Sequence, residues 1–151
     1  MHCKPPASHR LRRGRVSLAG QVYLVTFATQ GRKRLFDSAQ HAAAYSKACM
    51  DSRLWQEAKL LAWVLMPDHW HGLIQLGDNA VLSRIVQRLK ANTSRAVMTR
   101  GVPVWQAGFH DRAIPGERTM RAAADYLLAN PLRAGLVESV EDWPWRYAAW
   151  D

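Results

Sequence analysis

Residues 22–29 alternate in two registers. Val22, Leu24, Thr26 and Ala28 point one way and Tyr23, Val25, Phe27 and Thr29 the other, which predicts a strand opened by Gly20. A basic turn follows over 31–34, and Asp37 or Ser38 is placed to cap a helix running to about residue 58. Its apolar positions Ala44, Tyr45, Ala48 and Cys49 recur at helical spacing. Residues 60–66 are apolar on both faces, the pattern of a strand in the middle of a sheet. Met66-Pro67-Asp68 breaks that run, and residues 69–76 pair back as the next strand before the turn Gly77-Asp78-Asn79. A second helix is expected over 81–99, with Leu82, Ile85, Val86, Leu89 and Val97 as its buried stripe and Arg84, Arg88 and Arg95 on the opposite side. Residues 109–114 read as a fourth strand. Residues 118–130 read as a last helix with Met120, Ala123, Ala124, Leu127 and Leu128 inward, ended by Pro131. Trp143, Trp145, Tyr147 and Trp150 form an aromatic tail over 139–151, expected to dock as a cap over the core.

The order β-α-β-β-α-β plus a final helix predicts an α+β, ferredoxin-like (RRM-like) antiparallel sheet with helices on one face. At 151 residues the chain is sized for a single domain over 1–151, with an irregular basic arm over 1–20 in which Pro5 and Pro6 forbid a regular start. A composition 48% hydrophobic and 22% charged excludes a wholly disordered chain. The longest apolar run, residues 60–66, is seven residues, far short of the roughly 20 that span a bilayer, so no membrane role is expected. No apolar stretch follows the basic N-terminus, which argues against a secretory signal. Cys3 and Cys49 fit neither a zinc spacing nor a disulfide framework, so a reducing, cytoplasmic setting is expected.

Charge narrows the picture further. The formal net charge is +9, and its surplus sits in two blocks: residues 1–36 carry +8 and residues 80–121 carry +6, against −2 over 37–79 and −3 over 122–151. Concentrated cations of this kind suit a polyanion, because each phosphate neutralised releases counterions. A solvated surface that only aids solubility is the plainer explanation. Nucleic acid is favoured over it, and a membrane surface is a distant third.

The clearest chemical candidate is His69-Trp70-His71. On a strand, His69 and His71 face one side and Trp70 the other, with the two imidazole-bearing Cα atoms about 6.6–6.8 Å apart. Two imidazoles at that spacing can converge on one metal. Alone, such a pair is more often a bystander, and a third donor is needed. Asp68 points to the Trp70 side if the strand is regular, which makes it a poor candidate unless the turn swings it round. Tyr126 and Asn130 are four apart and so share one helical face. Each alone has an ordinary explanation, the tyrosine as packing at a stripe's edge and the asparagine as a helix stop before proline.

Several segments together carry a family resemblance: LRRGRVSLAGQVYLVTFATQGRKRLF, WVLMPDHWHGLI, VWQAGFHDRAI, YLLANPLRAGLV and DWPWRY, in that order along nearly the whole chain. The sequence resembles the REP-associated tyrosine transposases, within the single-tyrosine HUH transposase superfamily. The resemblance implies one HUH transposase domain whose C-terminal helix carries the tyrosine. It implies Tyr126 as nucleophile, His69 and His71 as metal ligands, and Asn130 where related transposases place a glutamine ligand one methylene longer. Pro115, after FHDRAI, departs from the basic residue the pattern suggests.

The activity implied is a metal-dependent single-stranded DNA endonuclease and strand transferase that cuts near palindromic hairpin elements through a 5′-phosphotyrosine intermediate. Two imidazoles, an amide oxygen and phosphate oxygens suit Mg²⁺ or Mn²⁺. Arg12, Arg13, Arg15, Arg84, Arg88 and Arg95 are the expected contacts to single-stranded, hairpin-bearing DNA. Such a protein would work in the cytoplasm, on the nucleoid, as a monomer or homodimer. The main alternative is a non-catalytic nucleic-acid-binding module of the same fold. A small metal hydrolase using the histidines alone is the third.

Overall fold

The computed structural model describes residues 20–97 and 101–150. Strand β1 is Val22–Ala28, α1 Ala39–Cys49, β2 Ala58–Met66, β3 His69–Leu76, α2 Leu82–Val97 and β4 His110–Ile114. Helix α3 is Glu117–Leu128, a short α4 follows at Asn130–Arg133, and β5 is Arg146–Ala148. The five strands form one sheet in the order β4-β1-β3-β2-β5, antiparallel at every pairing. β1 to β4 with α1 and α2 thus make the ferredoxin-like α+β arrangement expected from the sequence.

Two apolar layers fill the two faces. On one, Tyr23, Val25, Phe27, Trp63, Leu65, Trp70 and Ile74 pack with α1 (Ala42, Tyr45, Cys49) and α2 (Leu82, Ile85, Val86, Leu89, Val97). On the other, Val22, Ala62, Val64, Met66, Leu73 and Ile114 pack with Ala124, Leu127 and Leu128 of α3. The period of two in β3 sends Trp70 to the first face and therefore His69 and His71 to the second. Burial of both faces explains why β2 is apolar on each side.

Trp70 is 0% exposed and stacks on Phe27 with ring centroids 5.0 Å apart. Its indole lies across Gly72, two residues on along the same strand; a Cβ placed there would be 2.1 Å from the ring. The tryptophan between the histidines therefore needs the glycine after them.

Three expectations are corrected. The first helix does not reach residue 58. It is capped by the Ser38 side chain, which accepts from the His41 N–H at 3.2 Å, and it stops at Cys49. Asp51 then caps the 3₁₀ turn Ser52–Trp55, and Trp55 Nε1 donates to the Cys49 carbonyl at 2.8 Å. A side chain that satisfies local backbone donors in a turn competes directly with helix continuation.

The last helix also ends early, at Leu128. Ala129 (φ −86°, ψ 0°) breaks the run and Asn130 opens α4, with Pro131 in its first turn. Tyr126 and Asn130 therefore belong to consecutive helical pieces, and an uninterrupted i,i+4 face does not join them.

The aromatic tail does more than cap the core. Its residues 146–148 pair with β2, so Ala62 faces Ala148 and Val64 faces Arg146. Leu65 N donates to the Trp145 carbonyl at 2.9 Å and Trp143 Nε1 to the Leu65 carbonyl at 3.0 Å. Trp145 and Tyr147 reach the first layer, Trp143 and Trp150 the second. Without this strand β2 would be an open apolar edge, which proteins avoid.

Candidate functional site

The turn Pro67-Asp68 joins β2 to β3 and is fastened to the chain leaving β1. Thr29 N donates to the Asp68 carbonyl at 2.9 Å and Phe36 N to the Pro67 carbonyl at 3.0 Å. This fixes the start of β3, where the two imidazoles lie with centroids 4.6 Å apart and planes at 86°. His69 Nδ1 donates to Asp68 Oδ1 at 2.7 Å, and Arg32 Nε donates to Asp68 Oδ2 at 3.0 Å. The antiparallel register sets Thr26 opposite His71, and its hydroxyl shares a 2.8 Å hydrogen bond with His71 Nδ1. With Nδ1 engaged on both rings, Nε2 is the nitrogen left to each for a metal. Backing by a carboxylate or hydroxyl is how protein metal sites orient such rings.

Burial pushes the His71 pKa down to about 3, with the charges of His69, Arg133 and Arg32 adding to the shift. Burial pushes Asp68 up, but its hydrogen bonds from His69 and Arg32 and their charges outweigh this and hold it below the ordinary carboxylate value. The His71 ring is consequently neutral across the physiological range, the form in which an imidazole can bind a metal. An ordinary histidine, with a pKa near 6.5, is about 97% protonated at pH 5. The His71 ring is expected to stay neutral there, as read from its ¹⁵N shifts in the metal-free protein. A midpoint near pH 6.5 would contradict the burial described here.

Helix α3 lies over the same face of the sheet. Leu127 and Leu128 pack with Met66 and Leu73, the neighbours of the imidazoles in the apolar layer. Tyr126, just before them in sequence, is 67% exposed. Asn130 is half-buried at the start of α4. Arg133 joins these two residues. Its guanidinium lies 3.6 Å from the Tyr126 ring centroid, Nη1 donates to the Tyr126 carbonyl at 2.7 Å, and Nη2 donates to Asn130 Oδ1 at 2.8 Å. The same charge acts on His71. α3 thus lies on the side of the sheet that carries the histidines, and Arg133 contacts both Tyr126 and Asn130.

The arginines of α2 are not brought there. α2 covers the opposite face, and Arg84, Arg88 and Arg95 point away from the sheet. Arg88 is paired with Glu57 at 2.8 Å, and Arg95 donates to Asn92 Oδ1 at 3.4 Å. Arg12, Arg13 and Arg15 lie outside the described residues. On the imidazole face, register places exposed His110 beside Thr26 and exposed Arg112 beside Leu24.

Sequence reasoning missed Thr26, Arg32 and Arg133, and undervalued Asp68. Thr26 is visible only through strand register and Arg32 only through the turn. Arg133 is seven residues after Tyr126, two helical turns, and that spacing was legible. Among the described residues no cluster of three or more His, Cys, Asp or Glu is placed to hold a metal ion. An amide such as Asn130 fits a mixed nitrogen and oxygen set, and the imidazole pair fits the nitrogen part of it.

Residues 18–114, from before β1 through β4, match the family described as Transposase IS200 like, and the chain belongs to that family. The match ends before α3. A REP-associated tyrosine transposase of Escherichia coli (strain K12) is 34% identical over 85 residues, 55% of this chain and 50% of that protein. This chain therefore aligns with about half the length of that relative. A relative from Haemophilus influenzae is 26% identical over 142 residues, 83% of this chain and 78% of its own. Among solved structures, one of a REP-associated tyrosine transposase bound to a REP hairpin superposes with a TM-score of 0.70 at 24% identity, covering 87% of this chain and 79% of that one. That likeness establishes a shared fold. No described helix is long and apolar enough to cross a membrane.

Proposed function

We propose that this protein is a metal-dependent single-stranded DNA endonuclease and strand transferase, cutting near hairpin elements through a 5′-phosphotyrosine on Tyr126. The observation that carries this reading is the imidazole pair of His69 and His71, backed by Asp68 and Thr26, on the face that α3 covers, with an exposed Tyr126 in the last turn of that helix.

The residues divide the work. The Tyr126 oxygen attacks phosphorus, the P–O3′ bond breaks, the 3′ side leaves as a hydroxyl after taking up a proton, and the 5′ phosphate stays on the tyrosine. A 3′-hydroxyl attacking that ester reverses the step, releases the phenol and rejoins a strand, so the bond energy is kept in a covalent relay. Mg²⁺ or Mn²⁺ held by Nε2 of His69 and His71, with the Asn130 amide oxygen as third protein donor, would draw charge from the scissile phosphate. Arg112, His110 and Arg133 add positive or hydrogen-bonding groups on the same face. Arg12, Arg13 and Arg15 would hold phosphates, as would Arg84, Arg88 and Arg95 on the far layer, away from the cut, and the hairpin is taken from the solved transposase described as bound to one. Such a protein works in the cytoplasm on nucleoid DNA, as a monomer or a homodimer.

The test incubates the full chain with end-labelled, hairpin-bearing single-stranded DNA and Mg²⁺ or Mn²⁺. A protein–DNA adduct that survives denaturing gels is expected. It should disappear with a chelator and return when metal is restored. Binding that is steeply salt-dependent but yields no adduct with any hairpin substrate would overturn the proposal in favour of a binding module. Strand cleavage without a protein–DNA bond would favour a hydrolase.

A further inference from the structure

Tyr126 is a reactive group with little to hold it. It is 67% exposed, and α3 breaks three residues later at Ala129. An exposed tyrosine samples several rotamers, and the break leaves Asn130 on a separate helical piece. Arg133, within α4, reaches back across the break. Its Cζ lies over the Tyr126 ring, 3.6 Å from the centroid, and its fork donates to both the Tyr126 carbonyl and Asn130 Oδ1.

We propose that Arg133 is a positioning residue that fixes the Tyr126 phenol and the Asn130 amide relative to each other on the face carrying His69 and His71. The proposal rests on the strand-transferase reading above. A guanidinium has five donors in a rigid plane, so it can stack on a ring and make two directed bonds at once. A cation over an exposed aromatic ring contributes about 0.5–1 kcal/mol, enough to favour one rotamer several-fold. Part of the arrangement also serves the helix. Tyr126 offers one of the last carbonyls of α3, groups that have no partner within the helix. The experiment has to separate that capping role from control of the phenol.

Arg133→Lys makes the separation. Lysine keeps the charge and can still donate to the carbonyl, but it cannot stack flat while holding Asn130 as well. The variant is expected to melt within about 2 °C of the wild type and to bind hairpin DNA within about threefold. Its single-turnover rate of adduct formation at saturating DNA should fall about 10- to 100-fold, the scale set by a misplacement near 1 Å. A second readout does not depend on activity. In NMR spectra of the DNA-free protein, the Arg133 guanidinium protons should be shifted upfield by the Tyr126 ring and should lose that shift in Tyr126→Leu.

A wild-type rate in Arg133→Lys, a loss confined to DNA affinity, or guanidinium protons without the upfield shift would each overturn the proposal. If the wild type forms no adduct at all, the strand-transferase reading fails first. The guanidinium shift then still decides whether Arg133 holds the ring.

Discussion

Tyr126→Phe is expected to abolish the covalent protein–DNA adduct, lowering its formation by at least about a thousandfold, while hairpin binding stays within about twofold of the wild type. The argument is local. The substitution removes one oxygen from a side chain that is 67% exposed, and the structure gives that hydroxyl no role in the core. The ring remains, and with it the surface on which the Arg133 guanidinium lies. Folding stability should move by no more than about 0.5 kcal/mol, as for exposed positions in general. Chemistry through Tyr126 has no substitute atom, so the loss is of kind and not of degree. Denaturing gels with labelled DNA read the adduct, and thermal melts exclude unfolding. An adduct of equal yield in Tyr126→Phe would show that another residue is the nucleophile, and the role given to α3 would fall.

Gly72→Ala tests a different dependence and is expected to be strongly destabilising. The new Cβ would stand 2.1, 2.5 and 2.7 Å from three carbons of the Trp70 ring. Trp70 has no room to yield: it is fully buried and stacked on Phe27, which meets Trp105 edge-on at 4.6 Å. Overpacking a filled core costs about 1–3 kcal/mol and occasionally more. A value near the top of that range, about 3 kcal/mol, corresponds to a fall of roughly 6–12 °C in melting temperature for a domain of this size. Chemical denaturation would measure it directly. Trp70→Phe in the same chain removes the colliding ring atoms and should restore part of the loss. A Gly72→Ala variant as stable as the wild type would mean that Trp70 moves freely and does not need the glycine after the histidines. The effect also reaches function, because Trp70 sits between His69 and His71 and any shift of it moves β3.

Much of the architecture was legible because each buried layer leaves a repeating mark. The alternation His69-Trp70-His71 placed the imidazoles on one face and Trp70 on the other, and the bounds of that strand were read without error. The stripe of α2 was legible for the same reason. What failed was information held by partners distant in sequence. Residues 146–148 are too short to show a period and become a strand only because β2 offers an edge. The run after Cys49 looks helical until Asp51 is seen taking the Arg53 N–H at 3.0 Å. The arginine stripe of α2 was found, but a stripe does not say which side of the sheet its helix will cover. That choice put Arg84, Arg88 and Arg95 on the layer away from the histidines.

One carboxylate links a surface turn to the His69 ring. Asp68 accepts from Arg32 through one oxygen and from His69 through the other. If an incoming phosphodiester draws Arg32 aside, the carboxylate keeps a single donor and more of its negative charge bears on the imidazole. Electron density at Nε2 then rises, and the ring becomes a stronger Lewis base. On the strand-transferase reading proposed above, arrival of the polynucleotide at the turn and grip on the cation would rise and fall together, with no domain having to swing.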